Sequence, residues 1–173
     1  MSRVTGDDGS GRLTAMAGKR SAGLLLFRTV DDRLEVLLGH MGGPFWARKD
    51  AGAWSVPKGE YTADETPEAA ARREFAEELG LPAPDGPLLP LGEVKQSGGK
   101  TVTVWAVAGD LSPDDVVPGT FPLEWPPKSG RIQEFPEVDR VEWFEVSTAR
   151  EKMVAAQRTF LDRLAEALPP GAG

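Results

Sequence analysis

Residues 59–81 read GEYTADETPEAAARREFAEELGL, and the rest of the chain is organised around them. The second half of this stretch predicts a helix from Thr66 to Leu79. Thr66 offers a side-chain acceptor at the N-cap, Pro67 stands where a missing N–H costs nothing, and Gly80 suits a left-handed C-cap. Phe75 and Leu79, four residues apart, anchor one side of the helix in a core. Glu74, Glu77 and Glu78 lie at i, i+3 and i+4, so their carboxylates leave a single face close together. Such a cluster is either a solvated acidic face, a set of ion pairs with Arg72 and Arg73, or the seat of a cation. A seat built from carboxylate oxygens alone calls for a hard cation, Mg²⁺ or Mn²⁺.

Five residues separate Gly59 from Glu65, and seven more lead to Arg73-Glu74-Phe75-Ala76-Glu77-Glu78-Leu79-Gly80-Leu81. This spacing resembles the Nudix box at every fixed position, a far more specific signal than a short glycine pattern. The matched Gly59 and Glu65 favour the cation seat over the other two readings. The resemblance implies an α/β fold in which a mixed β-sheet is sandwiched between helices (α/β/α). It also implies a metal-dependent hydrolase that cleaves a phosphoanhydride bond in a nucleoside diphosphate-linked substrate. Glu74, Glu77 and Glu78 then bind metal, the backbone carbonyl of Lys58 faces it, and Arg73, expected to point elsewhere than Glu77, supports the cluster. Glu65 near the helix start suits the dipole and is placed to receive Arg73, or is a plain N-terminal acid. Attack by an activated water needs a carboxylate to take its proton. Glu77 and Glu78 offer this within the box. Family members that add a later loop glutamate point to Glu137, with Glu134 as its neighbouring substitute, although loop carboxylates are commonly just solvated.

Outward from the box, Arg20–Phe27 and Leu34–Leu38 flank Val30-Asp31-Asp32 as a hairpin of buried strands. Residues 42–53 hold too many breakers for regular structure, yet carry Phe45 and Trp46. Downstream, Gly92–Gln96, a Gly98-Gly99 turn and Thr101–Val107 predict a second hairpin, and Val141–Val146 a further strand. Residues 112–137 read as a long loop with one strand near Phe121–Trp125, and loops this long are usually functional. Apolar residues at Met153, Ala156, Phe160, Leu161, Leu164 and Leu168 predict one packing helix over Thr148–Leu168. Residues 1–18 read as a disordered leader, with a second start conceivable at Met16, residues 19–168 as one catalytic domain, and 169–173 as a frayed tail.

The 173 residues, 40% of them hydrophobic, suffice for one core. The longest apolar run, Ala22–Phe27, is far short of the roughly 20 residues that cross a bilayer. With no Cys and no apolar leader, the cytoplasm is the expected location. A net charge of −7 argues against a broad nucleic-acid surface, and so against an RNA-end pyrophosphohydrolase, but not against a nucleotide held by a few local cations.

Trp54-Ser55-Val56-Pro57-Lys58-Gly59 resembles the entry to the box in dinucleoside-polyphosphate (Ap4A-type) hydrolases and some MutT-like proteins. That makes Ap4A-like compounds the leading substrate class, with (oxidised) nucleoside triphosphates as the alternative. A third reading, a non-catalytic nucleotide-sensing module, is disfavoured by the intact glutamates. Lys58 is placed for phosphate, with Arg20, Lys95 and Lys100 as further candidates that also read as surface charge. Trp46 and Trp125, in loops, are the candidates to stack a base, whereas Trp105 and Trp143 read as packing and His40 as structural.

Overall fold

The computed structural model describes residues 19–168; the expected leader and tail lie outside them. In chain order the elements are β1 (Arg20–Val30), β2 (Arg33–Met41), β3 (Trp54–Ser55), β4 (Lys58–Glu60), α1 (Pro67–Leu79), β5 (Leu89–Lys95) and β6 (Thr101–Ala108). There follow β7 (Thr120–Glu124), β8 (Ile132–Pro136), β9 (Val138–Glu145), α2 (Val146–Lys152) and α3 (Thr159–Ala167).

Strand β1 organises the sheet. Its residues 22–26 are buried without a break because both faces are covered: Leu24 and Leu26 turn towards Phe75 and Leu79 of α1, and Leu25 towards Phe160 and Leu164 of α3. The order is β9-β2-β1-β6-β5, with β3 added to β2 and β4 to β1. Strands β1 and β6 run parallel and the other pairs antiparallel, so the sheet is mixed and lies between helices, as the resemblance implied. The β1–β2 turn is Asp31-Asp32 with φ 51° and 65°, the two positive angles of a tight hairpin turn. Helix α1 has the expected caps: Thr66 Oγ1 accepts from the Ala69 amide at 3.1 Å, and Gly80 has φ 70°.

Two expectations needed correction. The loop expected over 112–137 contains a separate two-stranded arm, β7–β8, rather than a single strand. The helix expected over Thr148–Leu168 is broken between α2 and α3. Met153 is extended there and bridges Trp54, and the Val154 amide donates to the Trp54 carbonyl at 2.9 Å; β-pairing with β3 overrides helical continuity while keeping the Met153 side chain in the core. The entry segment 54–60 supplies β3 and β4. Among the described residues no helix is long and apolar enough to cross a membrane.

Replacing Asp31-Asp32 by Asn-Gly should stabilise the protein by roughly 0.5–1 kcal/mol, because both residues adopt left-handed angles more readily. Urea unfolding measures this; a fall in stability would show that the aspartates hold the turn by other contacts.

Candidate active site

The carboxylates expected to cluster do so beside a cavity of about 520 Å³. Glu74, Glu77 and Glu78 of α1 line it together with Lys58 and Gly59 of β4, and Glu137 lines it as well. Glu137 is the single residue between β8 and β9, and it is fixed through its backbone. Its amide donates to the Gly119 carbonyl at 2.8 Å, and its carbonyl accepts from the Gly42 amide at 3.0 Å. The Gly119 amide in turn donates to the Glu78 carbonyl at 3.3 Å, so the root of the arm rests on the end of α1.

Gly59 has a steric role. A Cβ there would lie 1.9 Å from Glu74 Oε1, so only glycine lets β4 pass over the buried carboxylate. One residue earlier, the Lys58 amide donates to the Glu78 carboxylate. Burial pushes the Glu78 carboxyl up to about 8, reinforced by the charge of Glu137 and opposed by Lys58. Burial also raises Glu74, against the pull of Arg73, and it raises Glu137, with Glu77 adding to it. The Lys58 ammonium is drawn below its ordinary value by desolvation, which the charge of Glu78 opposes.

Arg73 does not point away from Glu77, as the sequence suggested. At i and i+4 the two side chains meet, with Nη1 3.1 Å from Glu77 Oε2 and 2.8 Å from Glu74 Oε2. Its Nη2 lies 2.5 Å from Glu65 Oε1, the partner expected for it. Arg72 instead donates to the carbonyls of Pro84 and Gly86. Ion pairing is therefore present for Glu74 and Glu77, while Glu78 and Glu137 stand outside the Arg73 network. Among the described residues no three acidic or histidine side chains form a ready cation cage. The donor set is nonetheless all oxygen, with Glu78 and Glu137 outside the Arg73 network, which suits a hard cation held by Glu74, Glu77, Glu78 and Glu137.

Trp46 lines the cavity, and so does Lys100, whereas Arg20, Lys95 and Trp125 are not among the residues that line it. Trp125 lies at the outer end of the arm, edge-on to Phe45 with ring centroids 5.3 Å apart. Glu134 is bound to Thr120 Oγ1 at 2.8 Å within the arm. His40 is buried between Asp139 at 2.9 Å and the Lys49 carbonyl at 2.6 Å. Sequence reasoning missed Phe121, which β7 brings to the cavity against Gly43, whose carbonyl accepts from the Trp46 amide. The alternation of β7, with Phe121 and Leu123 turned inwards, carried that signal.

Residues 19–164 match the model of the NUDIX domain, and the chain belongs to that family. Two curated relatives are RNA pyrophosphohydrolases, from Cellvibrio japonicus (46% identical over 48 residues) and Marinomonas sp. (45% over 47). Each match covers 27% of this chain and under a third of the relative, 28% and 29%. Among solved structures, a C. elegans Ap4A hydrolase binary complex aligns with a TM-score of 0.60 at 22% identity, covering 86% of this chain and 96% of that one. The NUDIX domain of Shewanella oneidensis NrtR, complexed with ADP ribose, aligns at 0.59 and 17%, covering 94% and 100%. These two likenesses establish the fold alone. RenU, a Nudix hydrolase from M. smegmatis, aligns at 0.55 and 26%, covering 87% and 88%.

Without metal, folded Glu78 keeps its proton up to about pH 8, whereas an ordinary glutamate loses it near 4.5. Between these values the folded chain holds the extra proton, so the contribution of Glu78 to stability falls as pH rises through that window. The melting temperature of Glu78→Gln in EDTA, relative to wild type, should climb across the window and level off above it. A pH-independent difference would contradict the burial of the Glu78 charge.

Proposed function

We propose that this protein is a divalent-metal-dependent pyrophosphohydrolase acting on a nucleotide, with dinucleoside polyphosphates of the Ap4A type as its preferred substrates. The observation that carries the reading is a single cavity lined by five glutamates, two lysines and two aromatic rings. Glu74, Glu77, Glu78, Glu137 and the Lys58 carbonyl are the groups that would hold Mg²⁺ or Mn²⁺. The bound cation offsets charge on phosphate oxygens and makes water easier to deprotonate. Lys58 and Lys100 bind the phosphate chain, and Trp46 and Phe121 receive a base between or against their rings.

Hydrolysis asks little covalent chemistry of the chain beyond positioning and one proton transfer. A water oxygen bonds to phosphorus, the bridging P–O bond breaks, and the displaced phosphate leaves as an oxyanion. Glu78 or Glu137, free of Arg73, takes the proton at a carboxylate oxygen. Arg73 keeps Glu74 and Glu77 at the rim of the cavity and touches no substrate. The entry segment Trp54–Gly59 supports the dinucleotide preference, as does the presence of Lys100 beside Lys58 for an extended phosphate chain.

Glu77→Gln and Glu78→Gln should each lower turnover by roughly 10²–10⁴-fold with the fold intact, and EDTA should abolish activity that Mg²⁺ or Mn²⁺ restores. Activity that survives rigorous chelation would overturn the metal requirement. Glu137→Gln should lower kcat more than it raises KM; an unchanged kcat would assign the proton transfer to Glu78.

Substrate choice is read from a steady-state panel of Ap4A, ADP-ribose, an oxidised nucleoside triphosphate and a 5′-triphosphate RNA, with products analysed in ¹⁸O-labelled water. Ap4A should give the highest kcat/KM. A tenfold advantage for another member, about 1.4 kcal/mol in transition-state binding, would overturn the dinucleotide assignment while leaving the hydrolase assignment standing.

A further inference from the structure

Gln157 is fully buried at the end of the 3-10 turn Ala155–Gln157, far from the cavity in sequence and absent from its lining. All of its amide is engaged. Oε1 accepts from the Val56 amide at 3.0 Å, and Nε2 donates to Ser55 Oγ at 3.0 Å and to Gln96 Oε1 at 3.1 Å. Ser55 closes the group by donating to the Val56 carbonyl at 2.9 Å.

These partners belong to the segments that build the active site. Val56 lies between β3, which ends at Ser55, and β4, which begins at Lys58, so its amide falls in the gap between the two ladders. The C-terminal segment continues the pairing there. Met153 bridges Trp54, the Val154 amide reaches the Trp54 carbonyl, and the Gln157 side chain then takes the Val56 amide in place of a strand. Two residues beyond Val56, the Lys58 amide meets the Glu78 carboxylate, and Gly59 lies against Glu74. On its other side Gln96 holds the Lys100 carbonyl through its own amide at 2.7 Å, at the foot of the strand that follows this cavity lysine.

The geometry points to Gln157 as a positioning residue for the acidic centre: from outside the cavity it sets the crossing from β3 to β4, and through that crossing the placement of Glu74 and Glu78 towards a divalent cation. Partners of this kind act on ligand orientation without touching metal or substrate, and their loss weakens metal affinity. A displaced crossing also leaves the buried Val56 amide without an acceptor, so the segment must shift to find one. The inference rests on the proposed metal site for its Mn²⁺ arm and on the proposed hydrolysis for its kinetic arm.

Gln157→Met preserves volume and removes every hydrogen bond. Gln157→Asn keeps the amide but shortens it, so that it cannot reach Val56 and Gln96 together, and it serves if the first variant folds poorly. Mn²⁺ affinity is measured by electron paramagnetic resonance on the metal-free proteins, alongside kcat, KM and thermal unfolding. The expected result is Mn²⁺ binding weakened about tenfold or more in both variants. A fall in kcat of similar size, about tenfold, should accompany a nearly unchanged KM. A lowered melting temperature with Mn²⁺ affinity and kcat within about twofold of wild type would make Gln157 a stability residue only and overturn the inference. Wild-type protein that binds Mn²⁺ but hydrolyses no panel substrate sinks the proposed function, and the Mn²⁺ affinities alone then decide the role of Gln157.

Discussion

Five glutamates line one cavity, and the guanidinium of Arg73 is what allows three carboxylates of the box to crowd together. Glu65, Glu74 and Glu77 all lie within 3.1 Å of its nitrogens. Without it, Glu74 would be a buried charge beside Glu78, a costly arrangement in a medium of low polarity. Burial, with the charge of Glu137 adding to it, raises the Glu78 carboxyl to about 8. Negative charge in the cluster is thus neutralised within the protein, by the Arg73 guanidinium and by the proton that burial keeps on Glu78.

The surrounding fold serves that arrangement by bringing distant segments to one place. Helix α1 supplies three glutamates, β4 supplies Lys58 and the glycine that makes room for Glu74, and the root of the arm supplies Glu137. Each is tied by backbone hydrogen bonds to the next: Glu137 to Gly42 and Gly119, Gly119 to Glu78. The same arm that delivers Glu137 carries Phe121 into the cavity.

The box and its helix were legible because their signals are local: two caps, a fixed spacing and an i, i+4 pattern. So was the β1–β2 hairpin, whose apolar run and Asp-Asp turn are contained within a few residues. The Arg73–Glu77 contact follows the i, i+4 rule, and ion pairing with Arg73 was one of the readings the helix left open; that Arg73 also gathers Glu65 and Glu74 depends on the fold. What the sequence hid was long-range. Met153 and Val154 leave the helical pattern only because β3 offers them a partner about a hundred residues away, and the arm β7–β8 carries few β-branched residues to mark its strands. Gln157 lies within an otherwise amphipathic stretch and gives no local sign of the amide it serves.

The central claim is that Glu78 holds a proton at neutral pH and gives it up when a divalent cation enters the acidic cluster. Isothermal titration of the metal-free protein with Mn²⁺ at pH 7, repeated in buffers of different ionisation enthalpy, counts the protons released. The account predicts release of about one proton, lost in Glu78→Gln together with much of the affinity. Tight Mn²⁺ binding with no proton release, unchanged in Glu78→Gln, would contradict it.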